Sequence, residues 1–292
     1  GRYLAVSAKN DGQAALLFFA LPAKTLVYGF RFQNDVVAAD ITWVSPERLL
    51  VSLATQADDA DAPARTGELF AINANGSGAR YLFGNNAQSS IGTRLPSGPV
   101  SEHGAAYIEG AAADDPDFAL VRVLKNLVQT ADGKYYDQSF TSLSRLDMQT
   151  GKRREEAPAP VRTVRQYFTD ARARAFLVSG VGDDGYQLKT FWRPGDGPWQ
   201  ALPFTALNLE PVKLSGDGTR AYFRAEYAGG RECLLEWSLP TTAVASSTPR
   251  EVLCKPASFL GTVYFSAADQ PYGYDSGDET GVVLIDSGLT NE

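Results

Sequence analysis

Few residues in this 292-residue sequence have the type and spacing that chemistry demands. Glycine and asparagine crowd around Ser77 in "NANGSG" (73–78), inside the longer stretch "TGELFAINANGSGARYLFG" (66–84). Successive backbone N–H groups of such a loop can cradle an anion. A dinucleotide loop, however, needs a parallel strand before its glycines and a helix after them. Here the glycines lead into "ARYLFG", a strand pattern. Asn-Gly between apolar alternations signals a β-hairpin, because both residues tolerate positive φ. A hairpin is therefore expected, not a phosphate loop. Asn75-Gly76-Ser77 also spells a glycosylation acceptor, which has meaning only in a eukaryotic secretory setting that nothing in the sequence indicates. A serine nucleophile on a strand-to-helix elbow needs G-x-S-x-G. Ser77 in "NGSGA" and Ser276 in "YDSGD" both lack a glycine two residues before the serine, and no other serine fits.

The single histidine, His103, lies beside Glu102 in "PVSEHGAAYIEG". A general base needs a nucleophile and an orienting partner. Neither a serine, a cysteine nor a second histidine stands at useful spacing, so a loop or strand-edge histidine is expected. The acidic stretches "ADDADA" (57–62), "ADDPD" (113–117) and "GDDG" (182–185) offer carboxylates to a hard cation. They lack the spaced ligands and terminal glutamate of a calcium loop and read as solvated turns. Asp40, Glu109 and Glu226 would resemble glycosidase carboxylates if they met in a common channel, but that chemistry requires a defined separation no spacing here establishes. Cys233 and Cys254, the only cysteines, fall on consecutive strand patterns flanking "LPTTAVASSTPR". Cross-strand Cβ atoms are roughly 4.5–5.5 Å apart, somewhat longer than a relaxed disulfide prefers. Either a bridge or two small buried apolar residues fits that placement. A bridge would go with an oxidising periplasmic or extracellular setting, favoured here over the cytoplasm. No catalytic, cofactor-binding or metal-ligating residue is assigned, and no cofactor is expected.

Bulk properties narrow the rest. The net charge is −7 and the pI about 4.9, which argues against nucleic acid or an anionic membrane surface as partner. Apolar residues make up 44% and charged residues 21%, an ordinary globular balance. No apolar run reaches the roughly 18 residues of a membrane span. Two cysteines and one histidine exclude a cysteine-rich zinc module. The sequence opens on "GRYLAVSA", already a strand pattern, so the lack of a leader carries no weight.

Strand signals dominate. "RYLAVSA", "ALLFFAL", "TLVYGFRF", "RLLVSLA", "ELFAIN", "RAFLVSG", "LKTFWR", "RAYFRAEY" and "ECLLEWSL" are short, β-branched or aromatic, and bounded by Gly, Pro, Asn and Asp. "DFALVRVLKNLVQ" (117–129) also fits a helix, but Val121 and Val123 flanking Arg122 favour a strand. Repetition is the more informative feature. A strand after a polar turn recurs as "GRYLAVSA", "PERLLVSLA", "HGAAYIEGA", "RARAFLVSG" and "DGTRAYFRAEY". Hairpins come next: "GELFAINANGSGARYLF", "SLSRLDMQTGKRREEA", "YQLKTFWRPGDGPWQALP" and "CLLEWSLPTTAVASSTPREVL". Phe176 and Tyr222 are 46 positions apart, as are Leu188 and Leu234. A four-strand unit repeating every 40–50 residues or so marks a β-propeller blade. One small twisted sheet cannot bury both faces alone, and stacking sheets buries them. The expectation is one all-β propeller domain over 1–292 with about six four-stranded antiparallel blades, at 1–33, 36–84, 98–157, 161–204, 208–256 and 259–292. The first and last units read as incomplete. Trp43, Trp192, Trp199 and Trp237 lie on or beside strands and are expected to pack between blades.

The run "ITWVSPERLLVSLA", an acidic loop and "APARTGELFAINANGSGARYLFG" resembles the amino-terminal propeller of prolyl oligopeptidase-family serine peptidases, notably bacterial dipeptidyl-peptidase and acylaminoacyl-peptidase-like members. "GRYLAV", "LSGDGTRAYF" (214–223), "GTR" (92–94) and "DMQTGKRREEAPAPVR" fit the same pattern. The likeness is specific over 41–94 and thin elsewhere. It implies a non-catalytic propeller that gates and orients oligopeptides for an α/β-hydrolase domain of the same protein, a domain this sequence does not contain. No catalytic residue of the family maps onto any position here. The alternative is a free-standing propeller of the TolB or WD40 kind that binds a protein or peptide partner.

Overall fold

The structure is a computed structural model. It describes residues 1–292 apart from 11–12, 34, 57–62, 85–103, 112–114, 126, 130–134, 138–140, 162, 172–173, 183–186, 196, 240–247, 256–259, 277–281 and 286–292. Regular structure among the described residues is entirely β-strand. Two compact units divide the chain, Gly1–Ala159 and Pro160–Glu292.

Three sheets make up the first unit. The first sheet runs β1 (Tyr3–Asn10), β2 (Gln13–Ala20) and β3 (Thr25–Arg31). The second runs β4 (Val36–Trp43), β5 (Arg48–Thr55), β6 (Ala64–Asn73) and β7 (Arg80–Phe83). The third contains β8 (Gly104–Ala111) and β9 (Phe118–Lys125); a separate ladder of β10 (Leu127–Gln129) and β11 (Tyr135–Asp137) intervenes before β12 (Ser142–Asp147) and β13 (Arg153–Pro158) complete it. The second unit repeats the plan. Its sheets are β14 (Thr163–Thr169) to β17 (Gln200–Ala201), with β15 (Ala175–Val181) and β16 (Leu188–Trp192) between; β18 (Asn208–Leu214), β19 (Arg220–Tyr227), β20 (Arg231–Ser238) and β21 (Arg250–Lys255); and β22 (Leu260–Phe265), β23 (Pro271–Ser276) and β24 (Val282–Leu284). Every pairing in these sheets is antiparallel between sequence neighbours, save that β12 returns to β9. Six sheets of three or four strands connected in this way are β-propeller blades.

The second strand of a blade shows why the sequence folds so. All of β5 but Thr55 is buried. Leu49, Val51 and Leu53 pack with Leu16 and Phe18 of the first sheet, while Leu50 packs with Val121 and Leu146 of the third. Successive side chains point to opposite faces, so an unbroken apolar run is what a strand covered on both sides requires. In the second unit β19 does the same: Ala221, Phe223 and Ala225 join Trp192 and Trp237, and Tyr222 joins Leu260 and Tyr274. Each fully buried leucine, valine or phenylalanine among them stabilises the fold by about 1.5–3 kcal/mol.

The polar turns that precede these strands share one device. Ser45 Oγ accepts from Arg48 N–H at 3.1 Å, Asp170 Oδ1 from Arg174 N–H at 2.8 Å, Ser215 Oγ from Arg220 N–H at 2.9 Å and Ser266 Oγ from Gln270 N–H at 3.2 Å. Each closes the connection between the first and second strand of its sheet with a short side-chain acceptor. Residues 118–125 form a strand, as Val121 and Val123 indicate. Leu127 belongs instead to the separate β10–β11 ladder.

Candidate functional site

The glycine-rich stretch is a hairpin turn. β6 and β7 pair antiparallel with Ala71 opposite Arg80, and the chain continues as strand, not helix. Asn73 N–H donates to Ser77 O (3.0 Å) and Gly76 N–H to Asn73 O (2.8 Å), so the turn's own backbone groups consume the donors an anion would need. Asn75 Oδ1 accepts from Ser77 N–H (3.0 Å) and Ser77 Oγ–H (2.7 Å). The Ser77 hydroxyl is thus committed to an amide and not to a base. Gly76 has φ +85°, and a Cβ there would lie 2.3 Å from Tyr28 Cζ. The ring of Tyr28, from β3, lies directly on the glycine. Gly76 answers both to backbone conformation and to this close approach.

Behind the turn sits a residue that sequence reasoning missed. Arg48 is 4% exposed, and its guanidinium faces oxygen acceptors without a carboxylate among its hydrogen-bond partners. Nε and Nη2 donate to Met148 O at 3.0 and 2.6 Å, Nη1 to Asn73 Oδ1 at 3.0 Å, and both Nη atoms to Gly78 O at 3.4 Å. Met148 closes the β12–β13 turn, so one side chain ties the turns of two blades together. Burial first, then the neighbouring Arg80, lowers the Arg48 pKa, and Asp147 opposes them. Arg80 donates to Gln149 O beside it. The signal in the sequence was an arginine opening the otherwise apolar "RLLVSLA". This arrangement holds turns; it offers no group to a reaction.

Of the three carboxylates singled out for chemistry, two are engaged by arginines. Asp40 on β4 pairs with Arg65 at 2.6 Å. Glu109 on β8, with its side chain 4% exposed, pairs with Arg122 at 2.6 Å, whose guanidinium lies 4.5 Å from the Tyr107 ring centre. Glu226 on β19 stands in register with Glu232 and Asn208 of its own sheet. Asp40 and Glu109 are each neutralised by an arginine, which suits neither a nucleophile nor a general acid. His103, Glu102 and residues 57–62 lie outside the described residues, as do 113–114 and 183–185. Of the second acidic stretch, Asp115 lies 3.8 Å from Arg145. The tryptophans pack: Trp43 against Tyr3 and Phe18, Trp192 edge-on to Trp237 at 5.2 Å, and Trp199 against Tyr167.

Cys233 and Cys254 face each other in the β20–β21 register, with Cα atoms 4.1 Å apart and sulfurs at 2.13 Å, a bonded pair. The Cα separation corresponds to the close, non-hydrogen-bonded pair of an antiparallel ladder. Glu251 and Arg231 flank Cys254 Sγ at 3.2 and 3.1 Å and pair with each other at 2.6 Å. Cys233, Glu251 and Cys254 are grouped closely enough to ligate a metal ion. With the sulfurs joined, neither supplies a thiolate, and Glu251 is taken by Arg231.

Titration shifts obey the same structural logic. Asp217 is held at about 2 by the Ser215 hydroxyl, then by the N–H and hydroxyl of Thr219. Burial and the carboxylate of Glu236 push Tyr222 up to about 12, so it stays protonated. Burial alone would raise Asp147, but N–H donors from Thr150 and Gln149 outweigh it and leave the carboxyl lowered. All three belong to turns or to the core, and no nucleophile, base and orienting group converge among the described residues.

No protein-family model matches the sequence, and no curated protein matches it. Solved structures do. Acylaminoacyl peptidase of Pyrococcus horikoshii superposes with TM-score 0.50 at 14% identity, over 94% of this chain and 40% of that one. An acylaminoacyl peptidase in complex with Z-Gly-Gly-Phe-chloromethyl ketone gives TM-score 0.50 at 14% identity, over 99% of this chain and 44% of that one. A looser likeness is to the β-propeller domain of Myceliophteria thermophila Cps50 (Swd1), with TM-score 0.48 and 9% identity over 95% and 77% of the two chains. The chain thus spans under half the length of either peptidase.

Proposed function

We propose that this chain is the propeller portion of a prolyl oligopeptidase-like serine peptidase, silent by itself, which admits and orients oligopeptides for an α/β-hydrolase domain of the same protein. The observation that carries the reading is the second blade. The tryptophan strand, the "RLLVSLA" strand and the "TGELFAIN-NGSG" hairpin that resemble the family are consecutive strands of a single four-stranded sheet. Superposition on acylaminoacyl peptidases supports it at the level of fold.

The native reading frame tests the proposal. It is expected to continue past Glu292 into a G-x-S-x-G elbow, with the acidic residue and the histidine after it in that order. The longer protein should hydrolyse chromogenic oligopeptides, and this chain alone should leave them intact. A stop near Glu292 overturns the assignment and leaves a free-standing propeller that binds a protein or peptide. Hydrolysis by the chain alone contradicts both.

A further inference from the structure

The last strands of the blades differ in how they protect their free edges. An unpaired edge is a template for another strand, and proteins blunt it with charge or brevity. β7 has four residues and opens on Arg80, β13 reads RREEAP, β17 has two residues, and β21 reads REVLCK. β24, at the end of the sixth sheet, has three. By contrast β3 runs seven residues, TLVYGFR, uncharged as far as Arg31. Leu26, Val27 and Tyr28 in succession are 56%, 42% and 36% exposed, although the Tyr28 ring rests on Gly76. A bulge places Val27 between the paired positions Leu26 and Tyr28, and the ladder is regular from Tyr28 to Arg31. Phe32 N–H donates to Ala14 O at 3.0 Å. By alternation Phe30 and Tyr28 spend their backbone groups on β2, and those of Gly29 and Arg31 turn outward. By its sequence pattern β1 corresponds to the second strands β5, β15 and β19, so β3 corresponds to the last strands β7, β17 and β21.

Two cations bracket this edge. Lys24 precedes β3, Arg31 ends it, both are exposed, and neither makes an ion pair among the described residues. The geometry points to an extended peptide segment, apolar in the middle and acidic at its ends, that pairs with the free edge of β3. Main-chain hydrogen bonds to Gly29 and Arg31 supply the docking, Leu26 to Tyr28 the apolar contact, and Lys24 and Arg31 the choice of sequence. Charge decides against a second copy of this chain. Antiparallel pairing of two β3 strands along their full length sets Arg31 opposite Thr25 and Lys24 opposite Phe32, so a second copy brings no carboxylate to either cation. This site does not depend on the peptidase assignment.

The test uses this chain and two fluorescein-labelled peptides, Glu-Val-Thr-Val-Thr-Val-Glu and the same sequence flanked by lysines. Fluorescence anisotropy is expected to show saturable binding of the acidic peptide and about tenfold weaker binding of the basic one, the ratio two exposed ion pairs provide. Val27→Lys puts a charge mid-edge without removing a buried side chain and should abolish binding. Lys24→Glu with Arg31→Glu should invert the preference. Circular dichroism checks that both variants remain folded. Failure of both peptides to bind, equal binding of the two, or binding unchanged by Val27→Lys overturns the proposal. A dimer seen in sedimentation and lost in Val27→Lys, with no peptide bound, overturns it too and gives the edge to a second copy.

Discussion

The hairpins that end the second and fifth blades, β6–β7 and β20–β21, occupy equivalent places and are fixed by different means. In the second blade the connection is six residues, 74–79, and its backbone bonds set the register directly. Arg48 then binds the turn from behind, and Tyr28 covers it from the front. In the fifth blade eleven residues, 239–249, separate the strands; a bulge interrupts both ladders, at Leu69/Phe70 and at Leu234/Leu235. Register there is held by Cys233–Cys254, with Arg231–Glu251 and Arg250–Glu236 on the surface. A tight turn specifies its own pairing, whereas a long connection leaves pairing to the strands. The two blades teach that a buried polar network and a covalent bond can serve one architectural purpose.

The largest effect is expected from breaking the polar network. Arg48→Ala strands the carbonyls of Met148 and Gly78 and the amide oxygen of Asn73 without their donor. We predict a loss of about 3–5 kcal/mol in denaturant unfolding. Lysine at this position should recover little, because a point charge cannot reach acceptors on two blades as the planar fork does. A loss below about 1 kcal/mol would mean that water replaces the arginine. The covalent hairpin comes next. The bridge closes a separation of 21 residues. The Cys233→Ala/Cys254→Ala pair should lose about 3 kcal/mol by the chain-entropy account. Hydrogen exchange should then quicken in β21 and not in β7, and reductant should have no further effect. Two free thiols in protein isolated without reductant would remove the bridge from this comparison.

The same contrast explains which features the sequence makes legible. Asn75-Gly76 signals its hairpin because turn chemistry is local, and the apolar strands declare themselves because both faces of β5 and β19 are buried. The first strands of blades are harder. β18 carries Glu210, Pro211 and Lys213 and bulges between Pro211 and Lys213, so it shows neither alternation nor an apolar run. The partner of Arg48 lies 100 positions away at Met148, and no periodicity encodes such a contact. Polar turns before the second strands are visible as a pattern, but not the equivalence of Ser45, Asp170, Ser215 and Ser266 as caps, since serine and aspartate do this work interchangeably. The candidate chemistry suffers most. Asp40 and Glu109 stand out as carboxylates, and their neutralising arginines come from cross-strand register that only the fold supplies.

Gly76 and Gly229 sharpen the front of the β6–β7 turn. Both have φ +85°, but a Cβ at Gly229 meets nothing within 4 Å, while one at Gly76 meets the Tyr28 ring. Gly229→Ala therefore isolates the backbone penalty of about 1–2 kcal/mol. Gly76→Ala should cost more, and Tyr28→Ala in the same chain should return the loss to the Gly229 value. A double-mutant cycle with no coupling between positions 28 and 76 would show that the ring does not brace the turn.

The smallest effect is a matter of pH and belongs to the fifth blade's first turn. Asp217 accepts from the Ser215 hydroxyl at 2.6 Å and from Thr219 N–H at 3.0 Å. These bonds lower its pKa from 3.8 to about 2 in the folded chain. A carboxyl depressed on folding stabilises above its unfolded pKa, and the contribution disappears as pH falls through the folded value. Acid unfolding should thus steepen between pH 3.8 and about 2 relative to Asp217→Asn, whose side chain does not titrate. The carboxylate is exposed to solvent, so the difference is small and salt has little part in it, because hydrogen bonds and not a paired charge depress the pKa. Identical acid limbs for the two proteins would indicate that Asp217 is equally stabilised in the unfolded chain. The turn would then owe its shape to the Ser215 cap on Arg220 N–H and to its backbone bonds, Ser215 N–H to Arg220 O and Gly218 N–H to Ser215 O.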